Sequence, residues 1–194
     1  MNSKKTFLIL ILVFVLILVG AYVLYTQLGS QNAPEQLATQ PSGTPDATDP
    51  SGTEPEKLMA PDFTVYDIDG NEVNLHDFHG KPIVLNFWAS WCGPCKMEMP
   101  DFQEAYLAMG QDIHFVMVNI TSGRETKENA TAFIADAGYT FPVYYDTAAD
   151  AATTYGTYSL PTTYFIDAEG YAVARATGAI NAELLQKGID MIKQ

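Results

Sequence analysis

The sequence is short of cysteine, histidine and basic residues. Its 194 residues include two cysteines, three histidines, and ten Lys or Arg against 23 Asp or Glu. A formal net charge of −13 argues against a nucleic-acid-binding protein and against docking on an anionic lipid surface. The two cysteines stand together in the stretch FWASWCGPCKMEMP, residues 87–100. Their spacing, Cys-x-x-Cys, is the feature from which a function has to be inferred.

Charge is missing altogether from residues 6–25, TFLILILVFVLILVGAYVLY. At about 1.5 Å per residue a helix of this run is roughly 30 Å long, enough to cross a bilayer core. Lys4 and Lys5 precede the run and no Lys or Arg follows before Lys57, which predicts a cytoplasmic N-terminus at residues 1–5. A cleaved signal peptide is the alternative, but its apolar stretch is usually shorter, about 7–15 residues. We therefore expect an uncleaved, single-pass anchor in the cell membrane.

Aromatic residues are absent from residues 26–57, where Pro, Gly, Ser, Thr and acidic residues dominate. Such a segment buries too little apolar surface to offset its ordering entropy, so it is predicted to be a disordered tether. Residues 58–194 remain as one domain. Without Lys4 and Lys5, the whole part predicted to be exported, linker included, has eight basic residues against 23 acidic ones, a formal net charge of −15. This charge is consistent with an extracytoplasmic domain.

The domain alternates strands with helices, which predicts an α/β fold with a central mixed sheet. The Cys-x-x-Cys segment begins a helix that Pro100 should kink or interrupt, and Asn181 is placed to cap the last helix. In chain order we expect a hairpin in FTVYDIDGNEVNL, strands in KPIVLNFWA and DIHFVMVNI around the helix CKMEMPDFQEAYLAM, a helix in SGRETKENATAFIADAG, an extended connector YTFPVYYD, a short helix in TAADAATTYG, a hairpin in PTTYFIDAEGYAVARATG and the final helix NAELLQKGIDMIKQ.

Four uses of the cysteine pair can be compared. The stability that a structural disulfide gives a protein grows with the length of the loop it closes. Two intervening residues form too short a loop for a large effect. Zinc needs four ligands, whereas the remaining candidates are only the scattered His76, His79 and His114. Covalent haem needs Cys-x-x-Cys-His, and Lys96 occupies the last position. A redox couple is the favoured interpretation, with the structural bridge and the metal site as weaker alternatives.

The local sequence fits redox chemistry. A strand leads into Cys92 and a helix follows it, so Cys92 should lie at a helix N-terminus, where the dipole and free N–H groups favour a thiolate. Cys95 lies one turn further in and is suited to resolving a mixed disulfide. Gly93 and Pro94 keep the loop tight, and proline in a first helical turn loses no hydrogen bond.

The segment FWASWCGPCK resembles the active site of the thioredoxins, and SLPTTYFID, residues 159–167, resembles their cis-proline segment. The chain is also similar to the membrane-anchored TlpA/ResA-like branch. The similarity lies in the anchor, the opening APDF hairpin and the extra secondary structure before the SLPTTYFID segment. The resemblance implies a thioredoxin-like fold with an added N-terminal hairpin and a cis peptide bond at Pro161. It also implies a substrate site at Trp91, Gly93, Pro94 and Leu160.

Two positions near the pair bear on proton transfer. The buried aspartate of cytoplasmic thioredoxins corresponds by resemblance to Asn86, which cannot accept and release a proton. Glu98 stands where ResA-like proteins carry an acid near the cysteines. If it is partly buried its pKa should rise, which would make it a proton shuttle for Cys95. An ordinary first-turn glutamate, paired with Lys96 or the helix dipole, is the alternative.

The sequence and the resemblance together predict a membrane-tethered thiol–disulfide oxidoreductase that needs no cofactor and acts as a monomer. Reduction of client disulfides, such as those of apocytochrome c, is favoured, with Cys92 attacking and Cys95 resolving. Reduction outside the cell would require a membrane donor of reducing equivalents. A disulfide-forming oxidase of the same fold and a non-catalytic metal- or haem-delivery chaperone are the alternatives. A peroxidase is disfavoured because no separate cysteine lies in a Thr-x-x-Cys setting.

Overall fold

The computed structural model describes residues 58–193, the strand Leu37–Thr39 and positions 12 and 13. Residues 1–35 and 36–194 are separate units of the chain, and the sheet, the helices and the cysteines belong to the second. The predicted anchor at 6–25 lies outside the described residues apart from positions 12 and 13, and the N-terminus at 1–5 lies wholly outside them. No helix in the described part of the chain is long and apolar enough to span a bilayer.

One mixed sheet of eight strands organises the described domain. Its order is β1-β8-β7-β4-β5-β6-β2-β3, with β4, β5 and β6 parallel and the other neighbours antiparallel. The predicted N-terminal hairpin forms the β3 edge. In chain order the strands are β1 (Leu37–Thr39), β2 (Thr64–Tyr66), β3 (Glu72–Asn74), β4 (Ile83–Trp88), β5 (His114–Asn119), β6 (Val143–Tyr145), β7 (Thr162–Ile166) and β8 (Ala172–Thr177).

Four α-helices accompany the sheet: α1 (Gly93–Met109), α2 (Lys127–Ala137), α3 (Asp150–Thr154) and α4 (Ala182–Ile192), with a 3₁₀ turn at Leu75–Phe78. The predicted cap of the last helix is confirmed, since the Asn181 side chain accepts a hydrogen bond from the Leu184 N–H at 2.9 Å. Alternate residues of β4 belong to two apolar clusters, one containing Val84 and Trp88 and the other Ile83, Leu85 and Phe87. The central strand is therefore buried on both faces, as its apolar run predicted.

Three local predictions differ from the structure. Leu37–Thr39, inside the segment predicted to be disordered, pairs with β8, while the rest of 26–57 lies outside the described residues. The expected connector YTFPVYYD contains β6, because its extended backbone pairs with β5. Helix α1 continues through Pro100, so the predicted interruption is wrong, while a kink there stays a prediction. Pro100 and Lys96 are both exposed, so water can satisfy the Lys96 carbonyl that the proline ring leaves without a helical donor.

The parallel pairing of β4 with β5 fixes the geometry of the site. Residue pairs run from Ile83 opposite His114 to Trp88 opposite Asn119, and the Ile120 N–H donates to the Trp88 carbonyl at 2.9 Å. The loops that leave the carboxyl ends of these strands therefore start side by side. One of them carries the cysteines.

Candidate active site

The cysteine pair lies where β4 passes into α1. The Cys92 N–H donates to the Ala89 carbonyl at 3.1 Å, which closes a turn over residues 89–92. Cys92 is the N-cap of α1, and its sulfur accepts a hydrogen bond from the Cys95 N–H at 3.2 Å. The two sulfurs are joined in a disulfide whose Cα atoms are 5.3 Å apart. The predicted placement of Cys92 at a helix N-terminus is confirmed, and that placement stabilises a thiolate there once the disulfide is reduced.

The two cysteines differ in access to solvent. Cys92 retains 4% exposure and lines a surface groove of about 370 Å³, whereas Cys95 is fully buried and does not line it. A thiolate at Cys92 can therefore meet a partner in the groove, whereas Cys95 offers no exposed surface to such a partner.

Aromatic side chains and one arginine form the groove beside Cys92. Trp91 is 45% exposed and Tyr158 is 98% exposed, which is unusual for rings of this size. The Arg124 guanidinium carbon lies 3.9 Å from the centre of the Trp91 ring, a cation–π stack. The full lining comprises Trp91, Cys92, Gly93, Pro94, Ile120, Arg124, Thr157, Tyr158 and Leu160.

The segment before β7 borders the same groove. The Leu160–Pro161 peptide bond is cis, as the resemblance implied. The Pro161 carbonyl accepts from the Gly178 N–H at 2.9 Å, which ties it to β8. Within residues 58–193, by contrast, neither the N–H nor the carbonyl of Leu160 has a backbone partner. Leu160 thus offers a free donor and a free acceptor next to Cys92.

Glu98 lies beneath the pair, one helical turn after Cys95. It is 2% exposed. Its Oε2 accepts a hydrogen bond from the Ile180 N–H at 3.0 Å, and its Oε1 accepts one from the Asn86 amide at 2.8 Å. Burial, with a smaller contribution from the nearby charge of Asp101, raises the pKa of Glu98 to about 7 against the opposing effect of these two bonds. The sequence analysis expected a raised pKa if Glu98 is buried, and the structure has Glu98 both buried and with a raised pKa.

Asn86 connects Glu98 to the cis-proline strand. Its amide nitrogen donates both to Glu98 and to the Thr163 hydroxyl, the latter at 3.0 Å. Its amide oxygen is buried and has no hydrogen-bond partner among the described residues. Turning the amide over would present that oxygen to a protonated Glu98. Asn86 can therefore form a hydrogen bond with Glu98 in either protonation state, as donor to the carboxylate or as acceptor from the protonated acid.

The candidate residues divide into two sets by access. Trp91, Cys92, Gly93, Pro94 and Leu160 line the groove. Cys95, Glu98 and Pro161 are buried and do not line it.

Sequence reasoning missed Arg124, Glu125 and Tyr158. Arg124 is the one Lys or Arg between Lys96 and Lys127, a signal that could have singled it out. Glu125 gave no local signal, because its hydrogen-bond partner Ser90 is 35 residues away.

Comparisons with known proteins show which family and which solved structures the chain resembles. The profile of the AhpC/TSA family matches residues 57–174. The chain is 37% identical over 135 residues to the thiol-disulfide oxidoreductase ResA of Geobacillus thermodenitrificans, which covers 69% of this chain and 76% of the relative. It is 34% identical over 135 residues to ResA of Bacillus subtilis, covering 69% and 74%. The crystal structure of StoA from Bacillus subtilis superposes with a TM-score of 0.59 at 28% identity, over 69% of this chain and 98% of that one.

Proposed function

The chain belongs to the AhpC/TSA family and is a ResA-like thiol–disulfide oxidoreductase with a thioredoxin-like fold, and we propose that it reduces disulfides of client proteins outside the cytoplasmic membrane. One observation carries the proposal: of two cysteines joined in a disulfide, only Cys92 caps a helix and lines the groove. That asymmetry fits an attacking and a resolving thiol.

The proposed reaction transfers two electrons from the dithiol to the client. The Cys92 thiolate attacks one sulfur of a client disulfide, a mixed disulfide forms, and the other client sulfur leaves as a thiolate. Cys95 then loses its proton and attacks the Cys92 sulfur. The Cys92–Cys95 disulfide forms, and the second client sulfur leaves. Glu98, whose pKa is about 7, accepts the Cys95 proton and returns it when the pair is reduced again.

Client binding is proposed at the groove. An extended client segment would pair with the free N–H and carbonyl of Leu160, the strand-addition mode of recognition. Trp91, Gly93 and Pro94 would contact the residues around the client cysteine. Backbone pairing accepts many sequences, which suits clients that share a cysteine pair, such as apocytochrome c, and little else.

The reducing direction is proposed from the motif. Gly-Pro between the cysteines matches thioredoxin, whose potential is about −270 mV. The uncharged run at 6–25 after Lys4 and Lys5 supports an anchor with the domain on the far side of the membrane. A reductase placed there would need a membrane donor of reducing equivalents to regenerate its dithiol.

Insulin reduction tests the proposal. Purified full-length protein, kept in mild detergent and resupplied with dithiothreitol, is expected to precipitate insulin B chains several times faster than dithiothreitol alone. The rate should rise in proportion to protein concentration, since each turnover passes through Cys92. No acceleration, together with oxidation of a reduced client by the disulfide form, would instead support the oxidase alternative.

A further inference from the structure

The turn that carries Cys92 is held from outside by a neighbouring loop. Its two central residues are Ser90 and Trp91, and neither is fixed by the turn's own closing bond, which joins Cys92 to Ala89. Each instead contacts one of two consecutive residues in the loop between β5 and α2.

The first contact is a pair of hydrogen bonds from Ser90. Its backbone N–H donates to Oε2 of Glu125 at 3.0 Å, and its hydroxyl donates to the same oxygen at 2.9 Å. The second contact is the stack of Arg124 on Trp91. We call Arg124 and Glu125 the 124–125 clamp. Glu125 is buried and Arg124 is exposed.

Glu125 is itself fixed in place. It is 3% exposed, and its second oxygen lies 3.4 Å from the Asn119 amide nitrogen at the end of β5. Its N–H donates to the Ser122 carbonyl at 3.1 Å. Burying a carboxylate is unfavourable unless hydrogen bonds compensate for the lost hydration. The donors that compensate come from the turn before Cys92 and from β5, so the carboxylate joins the two loops.

We propose that Glu125 is a positioning residue for Cys92: through Ser90, and with Arg124 on Trp91, the 124–125 clamp fixes the turn so that the Cys92 sulfur stays at the N-terminus of α1. The proposal rests on the proposed function only in taking Cys92 as the reacting thiol. Without the clamp the turn moves, and the sulfur spends less time where helix N–H groups stabilise its thiolate. A misplacement of about 1 Å at a reacting group can lower its reactivity by about a hundredfold.

A competing effect has the opposite sign. A negative charge near Cys92 disfavours its thiolate, so removing that charge alone should make Cys92 more reactive. Two substitutions separate the effects. Glu125→Ala removes both the charge and the acceptor. Glu125→Gln removes the charge but keeps an oxygen that can accept from Ser90.

The rate at which iodoacetamide alkylates Cys92 at pH 7 provides the test. It is measured on reduced full-length protein in a Cys95→Ser background, so that only Cys92 is counted. Glu125→Ala is expected to react at least about fivefold more slowly than the parent, and Glu125→Gln to stay within about twofold of it. Equal acceleration of both variants would assign Glu125 a charge effect and overturn the proposal. Unchanged rates in both would also overturn it.

A matched control uses another buried carboxylate. Asp167 is 6% exposed and accepts the Tyr171 N–H at 2.8 Å, at the end of β7 away from Pro161. Asp167→Ala, which like Glu125→Ala removes both the charge and the acceptor, is expected to lower the unfolding midpoint and leave the alkylation rate unchanged. If Glu125→Ala does not fold, Ser90→Ala takes its place, because it deletes one clamp bond and keeps the charge. We expect it to react at least about twofold more slowly, and an unchanged rate would overturn the proposal.

Alkylation needs neither a client nor a direction of electron flow. Failure of insulin reduction would therefore leave this test intact, and failure of the clamp would leave the reductase proposal standing.

Discussion

Replacing Cys92 by serine is expected to abolish catalysed insulin reduction, so that precipitation slows several-fold to the rate of dithiothreitol alone. Cys92 alone of the two cysteines lines the groove, and its sulfur already accepts a hydrogen bond from a helix N–H. A serine hydroxyl is not ionised at neutral pH and cannot form the mixed disulfide. Turnover measured with dithiothreitol in excess gives the loss directly.

Cys95→Ser is the matched control, since it removes the same atom one helical turn away. It is expected to lose turnover but keep the first step, so that the protein accumulates as a mixed disulfide with its client. On a non-reducing gel this adduct runs above the free protein and disappears with reductant. Accumulation in Cys92→Ser and none in Cys95→Ser would reverse the two roles.

Glu98→Gln is expected to slow resolution of the mixed disulfide by about a hundredfold, the usual size of a lost general base. Gln keeps the shape of the side chain but cannot take the Cys95 proton. In the parent the rate should rise as pH increases through about 7, where Glu98 ionises. In the variant the rate should show no change of slope near pH 7, because no carboxylate at position 98 ionises there. Stopped-flow release of client from a preformed mixed disulfide measures both.

The control for this substitution is Glu104→Gln, on the same helix but exposed. It should keep the parent's rate and pH profile. A Glu98→Gln variant that also kept both would contradict the shuttle and leave Glu98 a structural residue.

Unfolding gives Glu98→Gln a second readout. Glu98 binds a proton more tightly in the folded protein, with a pKa of about 7 against 4.5 for an unperturbed side chain. Folding therefore takes up a proton between these values. The stabilisation is complete below pH 4.5 and is lost as pH rises through 7. The parent should lose at most about 3 kcal/mol relative to Glu98→Gln across that window, which urea titrations at several pH values can measure.

Local sequence signals predicted the elements that depend on neighbouring residues. The strand and the helix that flank Cys92 predict its position at a helix start. The helix cap at Asn181 is predictable because a capping bond involves residues only three positions apart. The buried run around β4 identified the central strand. The cis bond at Pro161 came from the resemblance alone, since an isolated X–Pro sequence does not determine its isomer.

Contacts between distant parts of the chain could not be predicted in this way. Ser90 and Glu125 meet because β4 and β5 are parallel and end together, and that register is a property of the sheet. The strand β6 has only three residues. Its sequence predicts an extended connector, because the pairing with β5 that makes it a strand depends on residues far away in the chain. The burial of Glu98 likewise depends on Asn86 and Ile180, which are 12 and 82 residues away.

The potential of the Cys92–Cys95 couple tests the central claim, reduction of clients, most directly. Full-length protein is equilibrated with glutathione buffers of defined ratio, and the fraction of free dithiol is read after acid quenching and alkylation. A reductase with this motif should give a value near −270 mV, on the reducing side of the glutathione couple. A value above about −200 mV would contradict the account, because such a couple would take electrons from its clients.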